Sequence, residues 1–298
     1  MFGRMILGFD GTAQSNDALA LAKLIASQSK ASIVVSHVVP RPPPFDARTR
    51  EYIKGIQHHL RTVLDPAVAA LAGLATEARP IESSSPARGL HELAEEEGAS
   101  LIVVGSTHRG PVGRVVIGSV GEVLLAGSPT AVAVAPKGFA AGAPPSVRMV
   151  GAGFNGSPEG HVALRAAAAF AAAAGAKLRA IAVEEDFAHA RHSLGEAHHG
   201  ASPLAEDLDR ALEEAGASDA ERVVVRGGAV QCLCEAAPET DLLVIGSRGY
   251  GPLHHALVGS VSAHLMRNCP VPVLVMPRGA DVNDGHAGSL ARGAATRA

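Results

Sequence analysis

DLLVIGSRGYGPLHHALVGSVSAHLM, residues 241–266, decides the fold. Its opening is an unbroken apolar run that stops at Gly246, the pattern of a parallel strand buried on both faces. Its close, VSAHLM, starts a helix with Ser260 at or near the first position. A strand, a glycine-rich turn and a helix N-terminus together form a cradle for phosphate, because backbone N–H groups converge there. Glycines alone are also compatible with a plain surface loop, so the reading depends on what surrounds them.

Working outward, the chain repeats itself. Residues 100–136, SLIVVGSTHRGPVGRVVIGSVGEVLLAGSPTAVAVAP, lie against residues 241–277 without a gap. Gly105 meets Gly246, Gly118 meets Gly259, Ser119 meets Ser260 and Pro129 meets Pro270. The starts correspond with one small slip, pairing Asp10 with Asn155 and Gly11 with Gly156. A period this long excludes a solenoid and implies two copies of one domain. We expect the first domain over 1–137, a Gly-, Ala- and Pro-rich linker over 138–148, the second domain over 149–278 and a disordered tail over 279–298.

Within the first copy, strands are expected at 5–10, 32–39, 77–81 and 101–105, and over AVAVAP at 131–136. Helices are expected at 16–27, 49–74 (with Pro66 as the place where it can break) and 87–97, and after Ser119. The second copy repeats the alternation with IAV, VVVR, LLVIG and VLVMP. The fold class is therefore α/β: two tandem Rossmann-like domains, each an open five-stranded parallel sheet with helices on both faces.

Composition bounds the function. A net charge of −3 offers no basic field to nucleic acid or an anionic membrane. No apolar run reaches the ~20 residues of a membrane span, and MFGRMILGFDG enters a strand with no leader pattern, so a soluble cytoplasmic protein is expected. Three cysteines make no disulfide framework, and Cys232 and Cys234 diverge on a helix, which suits reduced thiols. Cys269 reads as a small buried apolar residue.

Gly246-x-x-Gly249, nine residues, then Gly259-Ser260 resembles the nucleotide motif of the universal stress proteins. The resemblance covers both halves, roughly 5–136 and 149–277. It implies the adenine nucleotide alpha hydrolase-like form of the fold, adenine nucleotide binding (ATP, or AMP or ADP, with or without Mg²⁺), and pairing of domains through their last strands. Ligands of open parallel sheets sit at the carboxyl ends of strands where neighbouring connections diverge. Gly8, Asp10, Val38 and Gly105 fall at such ends in the first copy; Gly153, Asn155, Val183 and Gly246 do so in the second. By resemblance, Val38 and Val183 offer backbone groups to adenine and Asp10 lies near the ribose. The glycines let backbone N–H groups approach phosphate, and Ser119 or Ser260 adds a hydroxyl.

Each copy departs from the motif once. The first has His108 where the motif has its second glycine; the second carries Asn155 in place of aspartate. The second copy, with Arg248, Gly249, Gly259 and Ser260 complete, is favoured as the tighter site. The terminal strands TAVAVAP and VPVLVMP are expected to pair antiparallel, making an intrachain pseudo-dimer and leaving a homodimer of tandem chains open.

Other features read blandly. Fourteen histidines include His189, His192, His198 and His199, but no carboxylate or cysteine frame with metal spacing accompanies them. His254 and His255 lie inside the glycine loop, within reach of phosphate. RPPPFDARTREYIK (41–54) suits a stiff connector better than a docking segment. No catalytic triad, nucleophile elbow or lysine-bearing phosphate loop occurs, and Arg248 is the nearest cation, so at most slow hydrolysis is expected. The expected role is a nucleotide-dependent regulator with an unknown protein partner; the alternative is a partner-binding protein with vestigial pockets.

Overall fold

The protein is described by a computed structural model covering residues 2–39, 47–107, 118–184, 202–247, 265 and 269–277. The first half runs β1 (Arg4–Gly8), α1 (Ala13–Ser29), β2 (Ser32–Ser36), β3 (Val38–Val39), α2 (Ala47–Ala70), β4 (Thr76–Ala78) and β5 (Ile81–Glu82). It continues through α3 (Pro86–Glu96), β6 (Leu101–Gly105), α4 (Ser119–Gly127) and β7 (Ala131–Ala135). A short helix α5 (Phe139–Gly142) follows. The second half runs β8 (Met149–Phe154), α6 (Pro158–Ala174), β9 (Lys177–Glu184), α7 (Pro203–Glu214), β10 (Glu221–Arg226), α8 (Ala229–Ala236), β11 (Leu242–Gly246) and β12 (Val273–Met276).

The main strands form one sheet in the order β10-β9-β8-β11-β12-β7-β6-β1-β2-β4. Each half contributes five strands, parallel among themselves. The halves meet where β12 pairs antiparallel with β7, in the register Val273↔Val134, Leu274↔Ala133 and Val275↔Val132. Each half is thus a Rossmann-like α/β unit, and the sheet is continuous across the pair.

Full burial explains the apolar runs. Met5, Ile6 and Leu7 are completely covered, as are Ala133, Val134 and Ala135 at the joint. Alternate residues feed opposite faces. Leu7 and Val35 join α1, α2, α6 and α7 on one side; Ile6 and Val34 join α3, α4 and α8 on the other. The alanine-rich segment that Arg165 interrupts is α6, whose Ala163, Ala166, Ala167 and Phe170 lie in the first of these layers.

Local chemistry sets the helix ends. Thr12 caps α1 by accepting from the Ser15 amide, and Ser157 caps α6 by accepting from the Gly160 amide, with Pro158 at the first helical position. Lys30 and Gly175 close these helices in the left-handed conformation.

Two expectations are corrected. The second strand of the first copy is not continuous over 32–39 but divides at His37, and its partner divides likewise, so β3 and β5 pair separately as Val38↔Ile81 and Val39↔Glu82. The helix over 49–74 begins at Ala47 and passes through Pro66 unbroken. Pro66 lies on the solvent side, where water can serve a carbonyl that loses its amide partner. The linker also carries α5: Asp17, buried within α1, accepts hydrogen bonds from the Gly138 and Ala140 amides, each at 2.8 Å, and so holds the start of that helix. The proline run 41–46, the histidine-rich segment 185–201 and the tail 279–298 lie outside the described residues.

Candidate functional site

The first half crosses from β1 to β2 and β4 on one side, then returns to β6 and β7 on the other. The connections therefore diverge between β1 and β6, where a ligand cleft is expected. A cavity of about 520 Å³ opens there, lined by Gly8, Asp10, Val38, Gly105, Gly118 and Ser119 among others. The first-copy residues singled out in the sequence thus converge, apart from His108, which lies outside the described residues.

Asp10 follows the end of β1. Its carboxylate accepts from the Thr12 amide at 3.0 Å and the Thr12 hydroxyl at 2.6 Å, over a turn at Gly11 with φ +81°. Burial opposes ionisation of this carboxyl. The Thr12 bonds, a further one from Ser15 and the nearby His37 outweigh that penalty and hold its pKa below the usual range. Asn155 repeats the geometry in the second half. Its Oδ1 accepts from the Ser157 amide at 3.2 Å and hydroxyl at 2.7 Å, over Gly156 with φ +72°. The substitution preserves the turn and removes only the charge.

Val38 stands where backbone groups are offered to the cavity. Ile81 donates to the His37 carbonyl and Ser83 to the Val39 carbonyl. Since successive residues of a strand point their backbone groups to opposite edges, those of Val38 face away from β5, on the cavity side.

The motif glycines divide by purpose. A Cβ on Gly105 would lie 2.0 Å from the carbonyl oxygen of Gln14, and one on Gly246 would lie 2.5 Å from that of Glu159. At both glycines the first turn of α1 or α6 crosses too closely for any side chain. Gly118 differs: a Cβ would meet only Thr107, at 3.6 Å, and φ is −94°. It is the N-cap of α4, yet no side chain caps that helix. No described residue forbids a side chain here, and its lack leaves the N-terminus of α4 open toward the cavity.

Residues missed in the sequence complete the wall. His37 Nδ1 bonds the Phe9 carbonyl at 2.9 Å, and its ring packs edge-on against His59 at 5.4 Å. Ser36 and Ser106 are buried wall residues whose hydroxyls find no protein partner. Laying the copies together on Val38 and Val183 gives the signal: Ser36-His37 faces Ile181-Ala182.

In the second half Gly153, Asn155, Val183 and Gly246 take the equivalent strand ends, and the connections again diverge between β8 and β11. Arg248, Gly249, Gly259 and Ser260 lie outside the described residues, as do His254 and His255. Among the described residues no cluster of three His, Cys, Asp or Glu side chains could hold a metal, and no helix is long and apolar enough to cross a membrane. Cys269 is buried and hydrogen-bonded to Cys234, which together with burial pushes its thiol pKa up.

Comparison with known proteins places both halves in one family. The model of the universal stress protein family matches residues 1–136 and again 147–277. The chain belongs to the universal stress protein family. A universal stress protein of Mycobacterium tuberculosis is 27% identical over 300 residues, covering 92% of this chain and 99% of its own. One from Mycolicibacterium smegmatis is 29% identical over 288 residues, covering 91% and 96%. Among solved structures, a universal stress protein from Archaeoglobus fulgidus aligns with a TM-score of 0.70 at 22% identity, covering 93% of this chain and 98% of that one. The similarity of this universal stress protein to these relatives thus runs along nearly their whole length.

Proposed function

We propose that this tandem universal stress protein binds an adenine nucleotide, ATP or AMP with or without Mg²⁺, and acts in the cytoplasm as a nucleotide-dependent regulator of a protein partner. The observation that carries the reading is the first-half cavity: backbone groups at Val38, the Asp10 carboxylate and the uncapped α4 N-terminus at Gly118 all face one space. These suit, in turn, a base edge, a ribose and a phosphate. The corresponding residues of the second half, from Gly153 and Asn155 to Arg248, Gly249, Gly259 and Ser260, form the second site. The boundaries 1–137, 138–148 and 149–278 define the units, which work as an intrachain pseudo-dimer. Occupancy orders the glycine turn and biases a nearby surface toward one partner affinity, a population shift. At Asp10 the carboxylate suits a ribose hydroxyl or a metal-bound nucleotide; at Asn155 only the hydroxyl role remains.

The test is isothermal titration of nucleotide-stripped protein with ATP and Mg²⁺, reading affinity and stoichiometry. We expect saturable binding at one or two sites per chain. An absence of binding at millimolar ligand overturns the reading in favour of a partner-binding protein with vestigial pockets, the alternative that His108 and Asn155 suggest.

A further inference from the structure

Ser36 and Ser106 are 1% and 3% exposed, and neither hydroxyl has a hydrogen-bond partner among the described residues. An unpartnered buried hydroxyl is costly, and natural proteins rarely keep one without a reason. Here two line the wall of one cavity. Their placement follows from strand register. Ser36 pairs with Gly8, and continuing the β1–β6 register brings Ser106 level with Asp10. Alternation puts both on the face of the sheet that carries Ile6, Val34 and α3. Ser36 also lies two residues before Val38 on the same strand path, about 6–7 Å away. Gly8, between the strands that carry the two serines, has no side chain, and Leu90 of α3 leans over it: a Cβ there would lie 2.9 Å from Leu90 Cδ1.

The second half keeps Ser247 in the place of Ser106 but lacks a counterpart of Ser36. Ile181, fully buried and apolar, stands in the place of Ser36, and Ala182 in that of His37. In the first half His37 is also held in one tautomer, because its Nδ1 bonds the Phe9 carbonyl and so carries the proton. The strand end that meets the base is therefore polar in one copy and apolar in the other.

Resting on the nucleotide reading above, we propose that the first half is the discriminating nucleotide site, and that Ser36 hydrogen-bonds the base end of the ligand while Ser106 bonds the sugar beside Asp10. The geometry makes these two hydroxyls the polar floor of the cavity, reached when the Leu90 side chain changes rotamer on binding. Because Ser36 is separated from Gly118 by the width of β1 and β6, it reads the nucleoside and not the phosphates. The second half, with Ile181, does not make this contact.

The experiment is titration of full-length, nucleotide-stripped Ser36→Ala with adenosine, AMP and ATP·Mg²⁺, with thermal melting to confirm the fold. Loss of one neutral hydrogen bond should weaken all three ligands alike, by about five- to tenfold. Ser36→Ile, which copies the second half, should weaken the first-half site at least as much as Ser36→Ala, and Ser106→Ala should weaken all three to the same degree as Ser36→Ala. Affinity unchanged or improved in Ser36→Ala means that water satisfies the hydroxyl, and overturns the inference alone. A loss that grows with phosphate number places Ser36 at the wrong end of the ligand and overturns it too. If the unmodified chain binds none of the three, the nucleotide reading itself fails.

Discussion

Gly105 and Gly118 both belong to the glycine motif, and replacing each with alanine should have opposite consequences. A Cβ on Gly105 would lie 2.0 Å from the Gln14 carbonyl oxygen and 2.6 Å from its carbonyl carbon. Ordinary carbon–oxygen contact needs about 3.3 Å or more, so the first turn of α1 must retreat by roughly 1.3 Å. Neither atom is a side chain that can swing aside. That turn is also anchored, since Thr12 caps α1 and binds Asp10. Overpacking costs about 1–3 kcal/mol and more where backbone must move, so we expect Gly105→Ala to cost about 3 kcal/mol. At ~2–4 °C per kcal/mol for chains somewhat shorter than this one, the melting temperature should fall by roughly 6–12 °C. Gly118→Ala has room, with its nearest neighbour at 3.6 Å, and a negative φ. It should cost under about 1 kcal/mol, the usual loss when alanine takes an N-cap. Its Cβ nevertheless enters the space before the α4 N-terminus, so ATP affinity should drop by about tenfold or more. Differential scanning fluorimetry without ligand and titration with ATP·Mg²⁺ separate the two effects. A Gly105→Ala protein melting within about 1 °C of the parent would refute the packing argument, as would a Gly118→Ala protein that binds normally.

Two further outcomes are expected. Asp17→Ala removes both acceptors from the Gly138 and Ala140 amides at the head of α5, and should cost about 2 kcal/mol by urea denaturation; an unchanged midpoint would show that the linker holds without it. Asp10 has a folded pKa below its unfolded one, so its contribution is present above an unfolded value near ~3.9 and fades as pH falls through the lower folded value. Asp10→Asn, which copies the turn seen at Asn155, should therefore lose less stability than the parent between about pH 4 and pH 2; parallel melting curves across that range would contradict the shift.

Much of this was legible because burial on both faces writes itself as continuous apolar runs. LIVVG and LLVIG could be nothing but central strands once the copies were aligned. The cavity wall was legible where a motif residue and a strand end coincided, as at Asp10, Val38 and Gly118. It was hidden where tertiary contact decides. Gly105 reads as a ligand-approach glycine, and the close crossing of Gln14 from the first turn of α1 is a further constraint that no local pattern reveals. Pro66 reads as a helix breaker, but its solvent-facing position makes the lost bond cheap. Ser36 reads as one more strand residue until its hydroxyl is found alone beside the cavity.

The antiparallel seam between β7 and β12 has a directional consequence. Strands within each half run parallel, so crossing the seam reverses their sense, and the carboxyl ends of the two halves face opposite edges of the sheet. The site proposed for the second half therefore opens away from the first-half cleft. No single small ligand can bridge them, and a partner that senses both must either wrap the sheet or arrive as two molecules. Communication between the two ends can pass through the seam, where Val134 meets Val273 and Val132 meets Val275 in a layer with no exposed side chain, and through the packing of Phe2 against Phe170.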